Sequence, residues 1–348
     1  ENKVKSRKNT DSFVSIGEKL SSVLMQAAIK KLDSDSMLID ARDIIKTDSH
    51  FSRANPNLEL TREACEAIIL PNLKTDKILI TQGYIGSSPS GETTTLGRGG
   101  SDYTAALIAE AIGADLLQIW TDVSGIATTD PRIAPQAKHI KEMTFQEAAE
   151  LATAGAKILY PKTIIPSRRA NIPVYVGNTS DPESRGTVIR KDVSDKPLVR
   201  AIALKTDQRL ITITTLEMAQ QFGFLAKLFE IFARYKVSID QISTSEISVA
   251  VTMDSITLST DNLLLELQEL GRVSIEEDIS VVSLIGNDVS RAPGLATKIF
   301  SSLETKDSKI AIRMICQGAS KHSFCFLVAD HYGKESVKRL HKEFVEKE

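Results

Sequence analysis

The chain has 348 residues, 42% apolar and 25% charged, an ordinary globular balance with enough length for two or more cores. Lys and Arg number 43 against 45 Asp and Glu, so the net charge of −2 gives no basis for a nucleic-acid or anionic-membrane partner. No apolar run approaches membrane-spanning length, and the polar start ENKVKSRKN is not a secretory signal.

The first half alternates helix-like and strand-like segments. Residues 17–32 have apolar positions at helical spacing, with Leu20, Val23, Leu24, Ala27 and Ala28 on one face. A short strand is expected over 36–44, a helix over 61–73 and an apolar strand over 77–86 that ends in glycines. The densest signal follows, TTTLGRGGSDYTAA at 93–106. Gly97, Gly99 and Gly100 let the backbone approach a ligand, and Arg98 supplies a planar fork for a carboxylate or phosphate. Ser101 and Asp102 stand where a helix begins, and the positive end of a helix favours anions. A plain strand–turn–helix connection would use the same glycines, but Arg98 and Asp102 beside the turn favour binding. Another buried strand is expected over 116–123. Thr144 and Glu147 form a capping box for a helix to about 158, and a strand follows over 172–177. Apolar strands between helices imply a mostly parallel sheet with helices on both faces, whose ligands sit at the carboxyl ends of strands. The loops after Gly86 and after Val123 are of that kind.

The rhythm changes after Asn178, and residues 193–197 read as a linker. Strands are expected over 198–204, 209–216, 237–243, 247–253, 272–277, 280–285, 310–317 and 323–328. Helices are expected over 223–236, 262–270, 294–303 and 335–345. This is one βαββαβ unit followed by a βαββα unit that lacks its last strand. The extra strand at 198–204 could fill the gap, so that the first copy sits as an insertion within the second.

The three cysteines, Cys65, Cys316 and Cys325, are odd in number and far apart, which favours reduced core thiols and a cytoplasmic or plastid-like setting. His50, His139, His322, His331 and His341 show no metal-ligand spacing and read as surface or loop positions.

The stretch at 93–106, followed by WTDVSGIATTDPR at 120–132 and GAKILYPKT at 155–163, closely resembles the aspartokinases of the amino-acid kinase superfamily. The half from Leu198 resembles the paired ferredoxin-like ACT domains that follow the kinase there. The stretch GFLAKLFEIFARYKVSIDQISTSEISVAV at 223–251 is similar to the inhibitor-binding ACT unit of lysine-sensitive members. The resemblance covers nearly the whole chain and implies a kinase domain over 1–192. It implies a first ACT domain over 208–278, and a second over 198–207 plus 279–348.

The implied reaction is phosphoryl transfer from ATP, with Mg2+, to the side-chain carboxylate of L-aspartate, the first step towards lysine, threonine and methionine. By resemblance, Glu18 would hold the substrate ammonium and Arg98 its α-carboxylate, with Gly99, Gly100, Ser101 and Asp102 completing the substrate site. Arg98, Asp102 and Lys157 would serve catalysis, and Thr121, Asp122, Arg132 and Lys157 would meet the nucleotide. Taken alone, Glu18 reads as a solvated helix residue, Arg132 as a surface arginine and Lys157 as a helix lysine facing water. Met218, Gly223, Phe224, Leu225, Ser238, Asp240, Thr244 and Ser245 would line the effector site, with L-lysine as effector and threonine as its main rival. Asp240 can pair with an ammonium, and the helix start at Gly223 can take a carboxylate. Phe224, Leu225, Leu228 and Phe229 also read as core positions of an amphipathic helix. The resemblance further implies a homodimer through the ACT domains, with tetramers left open, and no tightly bound prosthetic group or dedicated metal ligands.

Two departures stand out. The family's opening KFGG(T/S)S, whose lysine braces the transferred phosphoryl group, is not found, so residues are expected ahead of Glu1 and this stretch alone is expected to be inactive. Ala127 stands where the family often has an aromatic residue against adenine. The competing readings are an effector-binding regulatory subunit without kinase activity, or another amino-acid kinase such as a glutamate or acetylglutamate kinase.

Overall fold

The computed structural model describes residues 2–32, 34–156, 159–219, 221–255, 261–304 and 309–347. Two compact units emerge. One is built from the spans 1–126, 141–152 and 157–194, the other from 127–140, 153–156 and 195–348.

The first unit opens with helix α1 (Asn2–Lys30), then β1 (Ser36–Ile39), α2 (Ala41–Ile44), α3 (Leu58–Leu73), β2 (Ile78–Thr81), β3 (Ile85–Ser87), β4 (Thr93–Thr95), α4 (Gly100–Ile112) and β5 (Leu117–Thr121). Strand β6 (Ile126–Ala127) and strand β7 (His139–Ile140) pair with each other and bracket the segment between them. Then come β8 (Glu142–Thr144), α5 (Phe145–Thr153), α6 (Pro161–Ala170), β9 (Val174–Asn178) and β10 (Thr187–Arg190). Strands β1 and β2, β5 and β9, and β8 and β10 pair in parallel, while β9 with β10 and β3 with β4 are antiparallel. A core of Ile39, Ile44, Ile45, Cys65, Ile69, Leu96 and Leu107 ties α2, α3 and α4 to β1.

Several local expectations change. The stretch 36–44 divides at Asp40, whose carboxylate caps α2 by accepting from the Arg42 N–H. The strand expected over 77–86 breaks at Gln82–Tyr84, where Tyr84 has φ of +70°. The capping box forms, with Glu147 accepting from the Thr144 N–H at 2.8 Å and Thr144 Oγ1 from the Glu147 N–H at 3.2 Å, but α5 ends at Thr153. Helix α1 docks through polar groups, not through its apolar stripe. Phe13 is 75% and Leu24 70% exposed, while Asp11 is 1% exposed. Asp11 accepts from the N–H and hydroxyl of both Ser52 and Thr95, at 2.8–3.2 Å. Buried hydrogen-bonding groups fix this helix because each would cost free energy if left without a partner.

The second unit carries one antiparallel six-stranded sheet. Its strands are β11 (Ala201–Thr214), β12 (Ile242–Thr244), β13 (Ser248–Asp254), β14 (Arg272–Ile285), β15 (Ile312–Cys316) and β16 (Ser323–Ala329), in the order β12-β13-β11-β14-β16-β15. Its helices are α7 (Phe224–Arg234), α8 (Asp261–Gln268), α9 (Leu295–Leu303) and α10 (Asp330–His341). The strands expected at 198–204 and 209–216 are one 14-residue strand, and so are those at 272–277 and 280–285. Each long strand carries an aspartate in the left-handed region, Asp207 (φ +57°) and Asp278 (φ +53°), and their pairing shifts register between Lys205 and Leu210. The polar breaks KTDQ and EEDI make irregularities within strands, not turns between them. Two cores flank this point. One joins Ile211, Phe224, Leu228, Phe232, Val251 and Leu263, and the other Ile202, Leu284, Ile299, Phe324, Phe326 and Leu340.

His341 is a correction to the surface reading. It is fully buried in α10, with Nε2 2.9 Å from Thr128 Oγ1 and Nδ1 2.8 Å from Glu346 Oε1. The 127–140 segment thus belongs to the second unit. The Ile202 N–H donates to the Thr128 carbonyl at 2.7 Å, and Ile133 packs on the core around Leu340.

Candidate active site and effector site

One open cleft in the first unit is lined by Glu18, Ser52, Arg53, Tyr84 and the run Gly97 to Asp102. Glu18 comes from α1, the run Gly97–Asp102 from the turn between β4 and the start of α4, and Ser52 with Arg53 from the loop that Asp11 clamps. Ser52 has φ of +73°, a conformation uncommon for a side-chain-bearing residue, and the Asp11 carboxylate holds both its N–H and its hydroxyl. Gly99 precedes α4 at φ +70°, and a Cβ there would lie 2.4 Å from Tyr160 Cβ. Only glycine fits this bend. The first turn of α4 turns its N–H groups toward the cleft end of the helix, a setting that favours anions. Burial pushes the Asp102 carboxyl above its ordinary value.

The cleft therefore gathers two guanidinium groups, two carboxyl groups and a helix start around one space. Such a set can hold a small molecule that bears both an ammonium and carboxylates. Glu18, Arg98, Gly99, Gly100, Ser101 and Asp102 are brought together. Ser52, Arg53 and Tyr84 join them without having been singled out by sequence. The only signal for Ser52 and Arg53 was the polar loop HFSRANP, Tyr84 lay within an expected strand, and positive φ at Ser52 and Tyr84 is invisible in the residue types.

The proposed nucleotide residues are divided between the two units. Thr121 and Asp122 close β5 in the first unit, where Thr121 Oγ1 donates to Asp122 Oδ1 at 3.1 Å. Nearby, Trp120 and Tyr175 pack edge-to-face with ring centroids 5.7 Å apart, an aromatic pair on neighbouring strands β5 and β9. Arg132 belongs to the second unit, where its guanidinium forks onto Asp130 at 2.7–3.1 Å. That pairing would have to open, or be shared, for Arg132 to meet a phosphate. Lys157 lies outside the described residues. Among the described residues no group of three or more His, Cys, Asp or Glu is arranged to hold a metal ion.

In the second unit, Gly223 (φ +82°) precedes α7, and an indentation there is lined by Glu217, Gln221, Phe222, Gly223, Phe224, Lys227, Glu269 and Leu270. The Phe224 side chain is committed to the core, so its backbone N–H is what it can offer a ligand. Met218 is half-buried against the same core, while Leu225, Ser238, Thr244 and Ser245 are exposed. Ser245 shares a 2.7 Å hydroxyl contact with Ser248. Asp240 already carries an ion pair, to the Lys205 ammonium at 2.5 Å.

Comparison with known proteins fits these observations. The sequence pattern described as "Amino acid kinase family" matches residues 1–178, and "ACT domain" matches 282–344. The chain is 46% identical to lysine-sensitive aspartokinase 3 of Escherichia coli (strain K12), over 97% of this chain and 76% of that protein. It is 38% identical to the chloroplastic aspartokinase 3 of Arabidopsis thaliana, over 97% of this chain and 62% of the plant protein. The fold superposes on E. coli aspartokinase III in complex with aspartate and ADP (R-state) with a TM-score of 0.87. On the complex of that enzyme with lysine and aspartate (T-state) the TM-score is 0.81. Both are 45% identical and cover 97% of this chain and 76% of theirs. The fold is thus the amino-acid kinase fold followed by ACT structure. No helix among the described residues is long and apolar enough to cross a membrane. The chain belongs to the aspartokinase family.

Proposed function

We propose that the cleft at the start of α4 binds L-aspartate, that the reaction uses Mg·ATP, and that L-lysine acting on the second unit inhibits it. The observation that carries the reading is the meeting of Glu18, Arg98 and the Gly99–Asp102 helix start in one space. Glu18 takes the substrate ammonium and Arg98 its α-carboxylate, so the side-chain carboxylate is left to attack the terminal phosphorus. In-line transfer forms the bond from that oxygen to phosphorus and breaks the one to the leaving ADP oxygen. The α4 N–H groups and Arg98 offset charge on the reacting oxygens. Asp102, at the head of α4, orients the turn and the cations that accompany the phosphates. Thr121 and Asp122 meet the nucleoside end, and Arg132 with Lys157 meets the polyphosphate.

Mg2+ arrives on the nucleotide as part of the substrate, where it offsets the charge of the phosphate oxygens. Lysine as effector is supported by the E. coli relative, named lysine-sensitive and solved with lysine bound. Met218, Gly223, Phe224, Leu225, Ser238, Asp240, Thr244 and Ser245 form the effector site in this reading, with dimers made through the ACT portion and the protein in the cytoplasm. A regulatory subunit without kinase activity is disfavoured by the kinase-family match over 1–178.

The test is ADP release by the full-length protein with L-aspartate, L-glutamate or N-acetylglutamate as acceptor, repeated over a titration of L-lysine and of L-threonine. The reading expects turnover with L-aspartate and inhibition by L-lysine. Turnover with another acceptor alone would overturn the substrate, and inhibition by threonine alone would overturn the effector.

A further inference from the structure

Lys205 stands in β11 at the register shift, beside the left-handed Asp207. Its ammonium lies 2.5 Å from Asp240 Oδ2 and 3.0 Å from Asp254 Oδ1. The three side chains are 21%, 30% and 56% exposed, so Lys205 is the most covered of the three and Asp254 the least. Gln208 Nε2 also donates to Asp254 at 2.7 Å and holds that carboxylate in place. Gly155 (φ +98°) lies close to the base of the Lys205 side chain, where an added Cβ would come within 3.1 Å of Lys205 Cβ and 3.2 Å of its Cγ. The ammonium bridges both carboxylates at once, so it can give up one and keep the other.

We propose that Lys205 is a built-in competitor of the effector, its ammonium holding Asp240 until the effector's own ammonium displaces it onto Asp254. This rests on the effector-site reading above, in which Asp240 receives that ammonium. Both groups are primary ammonium ions, so Asp240 cannot serve both at full strength. Asp254 makes the exchange cheap, because the displaced charge keeps a carboxylate partner and does not have to be buried alone. Burial by itself would lower the Lys205 pKa. The two carboxylates more than offset that and hold it above its ordinary value, so Lys205 is charged throughout the neutral range. Lys205 thereby sets how much effector is needed. Its removal strengthens binding, whereas removal of a plain structural ion pair would weaken it or leave it unchanged.

The experiment is calorimetric titration of L-lysine into the protein and into Lys205→Met, Asp254→Asn, the double variant and Asp240→Asn. Lys205→Met is expected to bind L-lysine about fivefold more tightly, the scale of one partly exposed ion pair. Asp254→Asn is expected to bind about twofold to fivefold more weakly, and the double variant to match Lys205→Met, since Asp254 acts only through Lys205. Equal or weaker binding by Lys205→Met, or an Asp254→Asn effect that persists in the double variant, overturns the proposal. Should Lys205→Met not fold, the single Asp254→Asn variant decides, and unchanged affinity there overturns it. If Asp240→Asn binds L-lysine as the unaltered protein does, the effector-site reading itself fails. Failure confined to the Lys205 and Asp254 variants leaves that reading standing.

Discussion

At the residue scale, the cleft depends on a carboxylate that never enters it. Asp11 is buried beneath the Ser52 loop and accepts four hydrogen bonds, two from Ser52 and two from Thr95. Replacing it by Ala leaves two backbone N–H groups and two hydroxyls without that acceptor, at a cost of about 1–3 kcal/mol for each group left unsatisfied. Asp11→Ala is expected to lower the unfolding midpoint in denaturant and to raise the KM for aspartate, because Ser52 and Arg53 line the cleft. Thiol chemistry is a second check at this scale. Burial, with Glu66 nearby, pushes the Cys65 thiol up to about 11, and burial, with Cys325 nearby, pushes Cys316 up to about 11. Both are then protonated near neutral pH, so alkylation of the folded protein at pH 7.5 is expected to be far slower than after unfolding. Rapid labelling of Cys65 would contradict its burial, and rapid labelling of the half-buried Cys316 would contradict its raised pKa. Gly99, Arg98 and Asp102 were legible in the sequence because an arginine and an aspartate flank a glycine-rich turn at a helix start. Asp11, Ser52 and Arg53 were not, since a buried carboxylate and a left-handed serine are written with ordinary surface residue types.

At the scale of elements, Glu142 joins β8 to β10 and to the end of the first unit. Its carboxylate accepts from the Ser194 hydroxyl at 2.5 Å and N–H at 2.7 Å, and it pairs with Arg190. Those Ser194 bonds, then Arg190, hold its pKa down to about 2. A folded-state pKa below the unfolded value of about 4.3 gives stability that is complete above that value and is lost as pH falls through about 2. Glu142→Gln is expected to reduce stability at pH 7 and to flatten its fall between these limits, read from urea midpoints across that range. In α10, His341 bridges Thr128 and Glu346, so His341→Leu is expected to cost about 1–3 kcal/mol, measured as a lower thermal midpoint. Helix α3 and the four helices of the second unit were legible from apolar spacing, and the Thr144–Glu147 box from its two residues, whereas α2 was read within a strand and α6 was not read at all. The long strands β11 and β14 were not. Lys205–Gln208 and Glu276–Asp278 look like turn chemistry, and only pairing with neighbouring strands shows that the chain runs straight on.

At the scale of the whole molecule, sequence order and spatial grouping part company. Residues 127–140 and 153–156, read from the sequence as kinase, cluster with the ACT-bearing unit. Arg132 is therefore carried by the same unit as Asp240 and Lys205. Effector binding that favours one arrangement of this unit would reach a residue proposed to touch ATP, provided lysine binds that arrangement better than another. Sequence could not show this grouping, because it arises from contacts such as Thr128 with Ile202 and His341, across 74 and 213 positions.

The central claim is that Arg98, in the cleft with Glu18, holds the acceptor amino acid. Initial rates of ADP release measured with aspartate and ATP varied in turn, for the protein and its Arg98→Ala variant, test it most directly. The account predicts an aspartate KM raised about tenfold or more, the loss of a charged hydrogen-bonded contact, with the ATP KM within about twofold of its original value. An unchanged aspartate KM, or a defect confined to ATP, would contradict it.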